Sequence, residues 1–94
     1  MQQPVDISIV IPLLNEEESI LSLNSWIFKV LKTESFRFEI IYIDDGSTDG
    51  SWNAIESLSK KNKNLRGIRF AKNFGKSQAL HAGFKSAKGK YVVT

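Results

Sequence analysis

Short apolar runs alternate along the chain with longer segments whose apolar residues return at helical spacing. The first run is Ile7-Ser8-Ile9-Val10-Ile11. Pro12 follows it, and a residue without a backbone donor predicts the end of that strand. Ile20, Leu21, Leu23, Ile27, Val30 and Leu31 then predict a helix over residues 16–32. Asn15 with Glu18 three residues later reads as a capping box, and three successive glutamates suit the positive end of the helix dipole. Residues 33–37 read as a connection and Glu39 to Ile43 as the second strand. Asp49-Gly50-Ser51 opens a second helix, with Asp49 as its cap and Trp52, Ile55 and Leu58 as its apolar stripe. Leu65 to Phe70 predict a third strand, 72–75 a loop, and 77–87 a third helix that Gly89 ends. The stripe of that helix is Ala79, Leu80, Gly83, Phe84 and Ala87. Tyr91 to Thr94 begin a fourth strand. Trp26 and Trp52 stand at positions compatible with a core, and His81 at a packing or surface position.

This β-α-β-α-β-α-β order predicts an α/β fold: about four mostly parallel strands with helices on both faces and right-handed crossovers. The 94 residues suffice for one modest core, so the chain reads as one unit or as the front part of a larger one. The absence of cysteine excludes a disulfide framework, a thiolate metal site and a cysteine nucleophile, and it fits a reducing compartment. No segment is apolar for long enough to span a bilayer. Met1 to Asp6 lack the pattern of a signal peptide.

Charge is divided along the chain. All 10 Asp and Glu lie at or before Glu56, whereas all but Lys29, Lys32 and Arg37 of the 13 Lys and Arg lie at or after Lys60. Such a division points to a bipolar site or an anionic partner for the second half. Lys60, Lys61, Lys63, Lys85 and Lys88 read as solvated helix margins.

In open parallel sheets, ligands bind beyond the carboxyl ends of the strands. The polar residues Pro12 to Glu16, Asp44 to Ser47 and Asn73 to Lys76 all fall there. The adjacent carboxylates of Asp44 and Asp45 suit three roles: orienting a ribose or a base N–H, holding a divalent cation, or simply making a turn. Lys76 begins a helix, where backbone N–H groups, the dipole and its own charge favour a diphosphate. The first turn has no glycine and carries three carboxylates, against a dinucleotide fingerprint. Gly75-Lys76-Ser77 lacks the upstream glycine of a P-loop, whose place Phe70 occupies.

Three blocks, SIVIPLLNEEESI, EIIYIDDGSTDGS and RFAKNFGKSQALHAGFKSAKGKYVVT, together resemble the family 2 glycosyltransferases of the GT-A fold. The third block looks most like the bacterial enzymes similar to dolichyl-phosphate mannosyltransferase, which move a sugar from a nucleotide donor to a polyprenyl phosphate. The resemblance implies that residues 1–94 are the amino-terminal, nucleotide-sugar-binding part of an incomplete GT-A domain. It implies that Pro12, Leu14 and Glu16 border the base and ribose and that Asp45 hydrogen-bonds the base with Asp44 beside it. Asn15, Gly46, Ser47 and Gly75 belong to the same nucleotide-binding loops, and Lys76 reaches the diphosphate. Leu14 stands where many relatives carry an aromatic residue.

The same resemblance implies a divalent cation, Mg or Mn, held by an Asp-x-Asp motif beyond Thr94, together with the acceptor site. No catalytic residue and no metal ligand is expected within the chain, which alone should transfer nothing. The full-length protein would use a UDP- or GDP-sugar, invert at the anomeric carbon and deliver to a lipid phosphate. A cytoplasmic location is implied, at the membrane's cytoplasmic face for the full-length protein. Open sheet edges invite self-association. Two other readings compete: a Rossmann-type oxidoreductase with Asp45 on a ribose, and a basic module binding nucleic acid through residues 60–90. The first lacks its glycine turn. The second lacks clustered aromatics and aligned cations, so no nucleic-acid partner is expected.

Overall fold

The alternation read from the sequence folds into four strands and three helices: β1 (Ile7–Leu13), α1 (Glu17–Lys32), β2 (Phe38–Asp44), α2 (Ser51–Lys61), β3 (Leu65–Arg69), α3 (Lys76–Ser86) and β4 (Tyr91–Val93). The structure is a computed structural model and describes residues 4–94. Met1 to Gln3, part of the stretch without a leader pattern, lie outside the described residues. The sheet order is β3-β2-β1-β4, and every pairing is parallel.

Side chains alternate across this sheet and divide the core in two. Ile9, Ile11 and Leu13 of β1, Ile40 and Tyr42 of β2 and Leu65 of β3 pack under α1 and α2 through Ile20, Ile27 and Ile55. Val10, Ile41, Ile43, Ile68 and Phe70 pack on the other face against Ala79 and Leu80 of α3. β2 is therefore covered on both faces, which is why it reads as an unbroken apolar run. The chain steps from β1 to β2 to β3 in one direction, then α3 carries it back across the sheet to β4 beside β1. That reversal places a crevice beyond the carboxyl end of β1.

Several local expectations are corrected. Strand β1 continues through Pro12, paired with Ile43, to Leu13. Tyr91 donates its N–H to the Asp6 carbonyl and Asp45 to the Leu13 carbonyl, so even-numbered backbone groups of β1 face β4 and odd-numbered ones face β2. The donor that Pro12 lacks would point past β4, whose pairing ends at Ile9. No ladder bond is lost. Helix α3 begins at Lys76 and ends at Ser86, and Phe84 of its expected stripe is exposed. Gly89 does not act as a left-handed cap; it lies against Ser8, with no room for a Cβ between them.

Trp26 is 62% exposed, and Leu21, Leu23 and Val30 of α1 are exposed as well. The apolar surface of α1 is wider than the strands among the described residues cover. Leu23, Trp26 and Val30 instead border an open apolar groove of about 460 Å³ with Ile7, Ile9 and Val93.

The capping box at Asn15 does not form. Asn15 takes φ 53° and its Oδ1 accepts the N–H groups of Thr48 at 2.9 Å and Asp49 at 3.3 Å. The start of α1 is capped from the other loop: Ser51 Oγ accepts the Glu16 N–H at 2.9 Å and Asp49 Oδ2 the Glu17 N–H at 3.3 Å. Asp49 also accepts the Ser51 N–H at 2.9 Å, but the cap position of α2 is Gly50, so the expected Asp49 cap is corrected to a turn that leads into the helix. The Ser51 hydroxyl and backbone contacts hold the Asp49 carboxyl below the usual aspartate range. The two loops thus fasten each other. Asn15→Ala should lose about 1–2 kcal/mol, from two acceptor contacts and a strained φ. Urea denaturation measures this, and a loss below 0.5 kcal/mol (about the scatter of surface substitutions) would mean that the cross-cap is ornamental.

Candidate functional site

Three loops meet at the carboxyl edge around a cleft of about 410 Å³ lined by Pro12, Leu13, Leu14, Glu16, Asp45, Asn73, Gly75 and Lys76. Six of the residues expected there line it: Pro12, Leu14, Glu16, Asp45, Gly75 and Lys76. Leu13 and Asn73 also line it; both fall within the loop ranges expected at this edge, though neither is among the individually named site residues.

The other four expected residues, Asn15, Asp44, Gly46 and Ser47, are not part of the lining. Asn15 and Ser47 tie loop to loop: Ser47 Oγ accepts the Asn15 N–H at 2.8 Å. Asp44 is fully buried; its Oδ1 accepts the Ser47 N–H at 2.8 Å and closes the turn. Its Oδ2 has no protein partner among the described residues. Gly46, at φ 85°, lies against the backbone of Lys72 and Asn73.

Asp45 is 5% exposed. Its Oδ1 accepts the Phe74 N–H at 2.8 Å and its Oδ2 the Gly75 N–H at 3.1 Å. A carboxylate offers about four acceptor positions, so the two oxygens retain capacity toward the cleft.

The cleft has two electrostatic sides. Glu16 and Asp45 supply negative charge from the first two loops. Lys76 stands exposed at the start of α3, whose first turn no side chain caps. Uncapped N–H groups and the dipole make that end receptive to an anion. The starts of α1 and α2 differ, since Ser51 and Asp49 serve them. His81 is exposed on α3, away from this lining.

Among the described residues there is no group of three or more His, Cys, Asp or Glu able to hold a metal ion. The oxygens of Asp45 and Oδ1 of Asp44 are turned toward backbone donors, an arrangement for fastening loops. Residues 4–94 therefore do not form a complete divalent-cation site. No helix among them is long and apolar enough to cross a membrane.

An open parallel sheet with a polar crevice at its topological reversal is an α/β architecture in which ligands bind at that edge. The chain belongs to glycosyl transferase family 2, whose family model matches residues 8–94. It is 39% identical, over 94% of its length, to an undecaprenyl-phosphate 4-deoxy-4-formamido-L-arabinose transferase of Aeromonas hydrophila, and covers 27% of that protein. A dodecaprenyl-phosphate galacturonate synthase of Rhizobium johnstonii is 33% identical over 98% of the chain, which covers 28% of it. The chain thus spans little more than a quarter of these relatives. The fold matches a mannosyltransferase from Pyrobaculum calidifontis, solved in complex with GDP-Man and Mn2+, at a TM-score of 0.80. That match has 21% identity and covers 97% of this chain and 27% of the other. The four-stranded GT-A-type architecture is shared with that enzyme.

Proposed function

We propose that the carboxyl-edge cleft binds the nucleoside diphosphate of a UDP- or GDP-sugar, and that residues 1–94 form the amino-terminal part of a larger GT-A domain. One observation carries this reading: an acidic side and an uncapped, lysine-bearing helix start face each other across one cleft. Pro12 and Leu14 offer apolar surface to the base and ribose. Glu16 and the free lone pairs of Asp45 accept their N–H and O–H groups. The start of α3 and Lys76 receive the diphosphate. Asn15, Asp44, Gly46 and Ser47 serve the site by fixing those loops.

In the whole protein, the sugar would pass to a polyprenyl phosphate, as the names of the relatives suggest, and the transfer would invert the anomeric carbon. A divalent cation, Mg or Mn, would help neutralise the leaving diphosphate, with its ligands supplied mostly from outside this chain. The residues described here would hold the nucleotide and draw negative charge toward Lys76. The membrane's cytoplasmic face is the expected place of action, and the open edge of β4 with its neighbouring apolar groove is the surface against which the larger domain, or a second copy, would associate.

Calorimetry with UDP, GDP, uridine and guanosine tests the assignment. One diphosphate should bind more tightly than its nucleoside, and Lys76→Ala should reduce that advantage by roughly tenfold, the low end of what one charge-assisted contact is worth because Lys76 is exposed. Failure of wild-type protein to bind any of the four would end the nucleotide reading.

A further inference from the structure

Asp45 carries more than a base contact requires. Both of its oxygens are engaged from within, by two consecutive N–H groups of the loop that leads into α3. That loop has little else to hold it. Lys72, Asn73 and Phe74 are exposed, and Gly75 takes φ 103° with open space where a Cβ would point. Phe74 touches Phe70 edge to face, with ring centroids 5.6 Å apart, and Lys72 lies over the Phe74 ring. These are surface contacts. The buried anchor of the segment is the Asp45 carboxylate, whose charge strengthens both bonds. Lys76 and the uncapped first turn of α3 follow directly, so the direction in which they face depends on where Phe74 and Gly75 are pinned.

We propose that Asp45 is a positioning residue for the diphosphate: by accepting the Phe74 and Gly75 N–H groups it fixes the Gly75 hinge and aims Lys76 and the start of α3 into the cleft. This rests on the nucleotide reading above and adds to it. A base contact and a positioning role leave different signatures. Loss of a base contact weakens nucleoside and nucleoside diphosphate by the same factor, so the ratio of their dissociation constants stays fixed. Loss of positioning weakens the diphosphate further, so the ratio shrinks. Relief of charge repulsion between Asp45 and the diphosphate would move the ratio the opposite way.

The test uses wild type, Asp45→Ala and Asp45→Asn. Each is titrated with the better-binding nucleoside diphosphate and its nucleoside, and amide exchange at Phe74 and Gly75 is followed by NMR. Asp45→Ala should shrink the ratio about tenfold, the value of the two charge-assisted bonds discounted for rearrangement, and exchange at both amides should rise by a similar factor. Asp45→Asn, which keeps one acceptor oxygen and is the safer variant for folding, should fall between. A ratio that is unchanged or larger in either folded variant overturns the proposal, even if both affinities fall together. A smaller ratio with unaltered exchange at Phe74 and Gly75 also overturns it, because the effect would not run through these bonds. If wild type binds none of the probes, the nucleotide reading and this role fall together; if it binds and only the ratio fails to move, the nucleotide reading stands alone.

Discussion

Gly46→Ala should unfold this protein more readily than any other single-methyl addition at its carboxyl edge. The backbone at Gly46 has φ 85°, a conformation that costs an alanine about 1 kcal/mol. The added Cβ would also lie 2.5 Å from the Asn73 nitrogen, and closer still to the Lys72 carbonyl carbon. Those are backbone atoms, and the bonds from Phe74 and Gly75 to Asp45 restrain them from retreating. Strain and clash together should cost about 3 kcal/mol or more. For a domain of this size that corresponds to a fall in Tm of about 15 °C. Gly75→Ala is the control. Its φ is 103°, but nothing lies within 4 Å of the site where its Cβ would stand. It should lose only the conformational share, about 1–2 kcal/mol at this backbone conformation, without the clash. Thermal melts of the two variants separate close approach from strain, and equal losses would show that the two loops do not depend on touching at Gly46.

That contact also shows where sequence reading reached and where it stopped. The strands and helices were legible because each is encoded locally: β2 as an apolar run, α1 and α2 as stripes at helical spacing. The carboxyl-edge position of the cleft followed from strand order in a parallel sheet. What stayed hidden was the exchange of partners between loops. Asn15 signals a cap for α1, yet it serves Thr48 and Asp49, while Ser51 and Asp49 serve α1. These pairs lie 32 to 35 residues apart, and no local pattern reports them. Pro12 misled for a related reason. Whether a strand tolerates proline depends on which neighbour its missing donor would face, and that is a property of the sheet. Trp26 stands at a position compatible with a core, yet nothing among the described residues covers it and it is 62% exposed.

The three residues Asp44, Asp45 and Gly46 acquire distinct tasks from this arrangement. Asp44 closes its own turn, Asp45 pins the third loop, and Gly46 lets that loop come close. A motif that looks from sequence like a ligand site is first a fastening of three loops, and the cleft exists because the fastening holds. The adjacent carboxylates tolerate each other because they point to different donors: one toward Ser47 and the other toward Phe74 and Gly75.

Removing Glu39 should cost about as much as the Gly46 substitution, at the opposite end of the sheet. Glu39 is 3% exposed on β2. Its Oε2 accepts the Ser8 hydroxyl at 2.5 Å and the Lys88 N–H at 2.7 Å, and its Oε1 pairs with Arg66, which also bonds Ser86. One carboxylate thereby joins β1, β2, β3, the end of α3 and the approach to β4. Glu39→Ala would leave the Ser8 hydroxyl, the Lys88 N–H and the Arg66 guanidinium without this acceptor. Breaking a buried pair costs about 3–5 kcal/mol, and because Arg66 is 36% exposed the lower end applies. The group also makes stability depend on pH. Burial alone would raise the Glu39 carboxyl, but the Ser8 hydroxyl, the Lys88 N–H and Arg66 outweigh it and hold the carboxyl below the usual glutamate range. A lowered folded-state value means that the unfolded chain takes up the proton first. The stabilisation is therefore complete above the unfolded glutamate value of about 4.3 and is lost as pH falls through the lower folded value. Denaturant midpoints of wild type and Glu39→Gln, measured from about pH 6 down to about pH 3, should converge as the pH falls, since the other carboxylates titrate in both. Curves that stay parallel throughout that range would mean that Glu39 holds its partners no better charged than neutral.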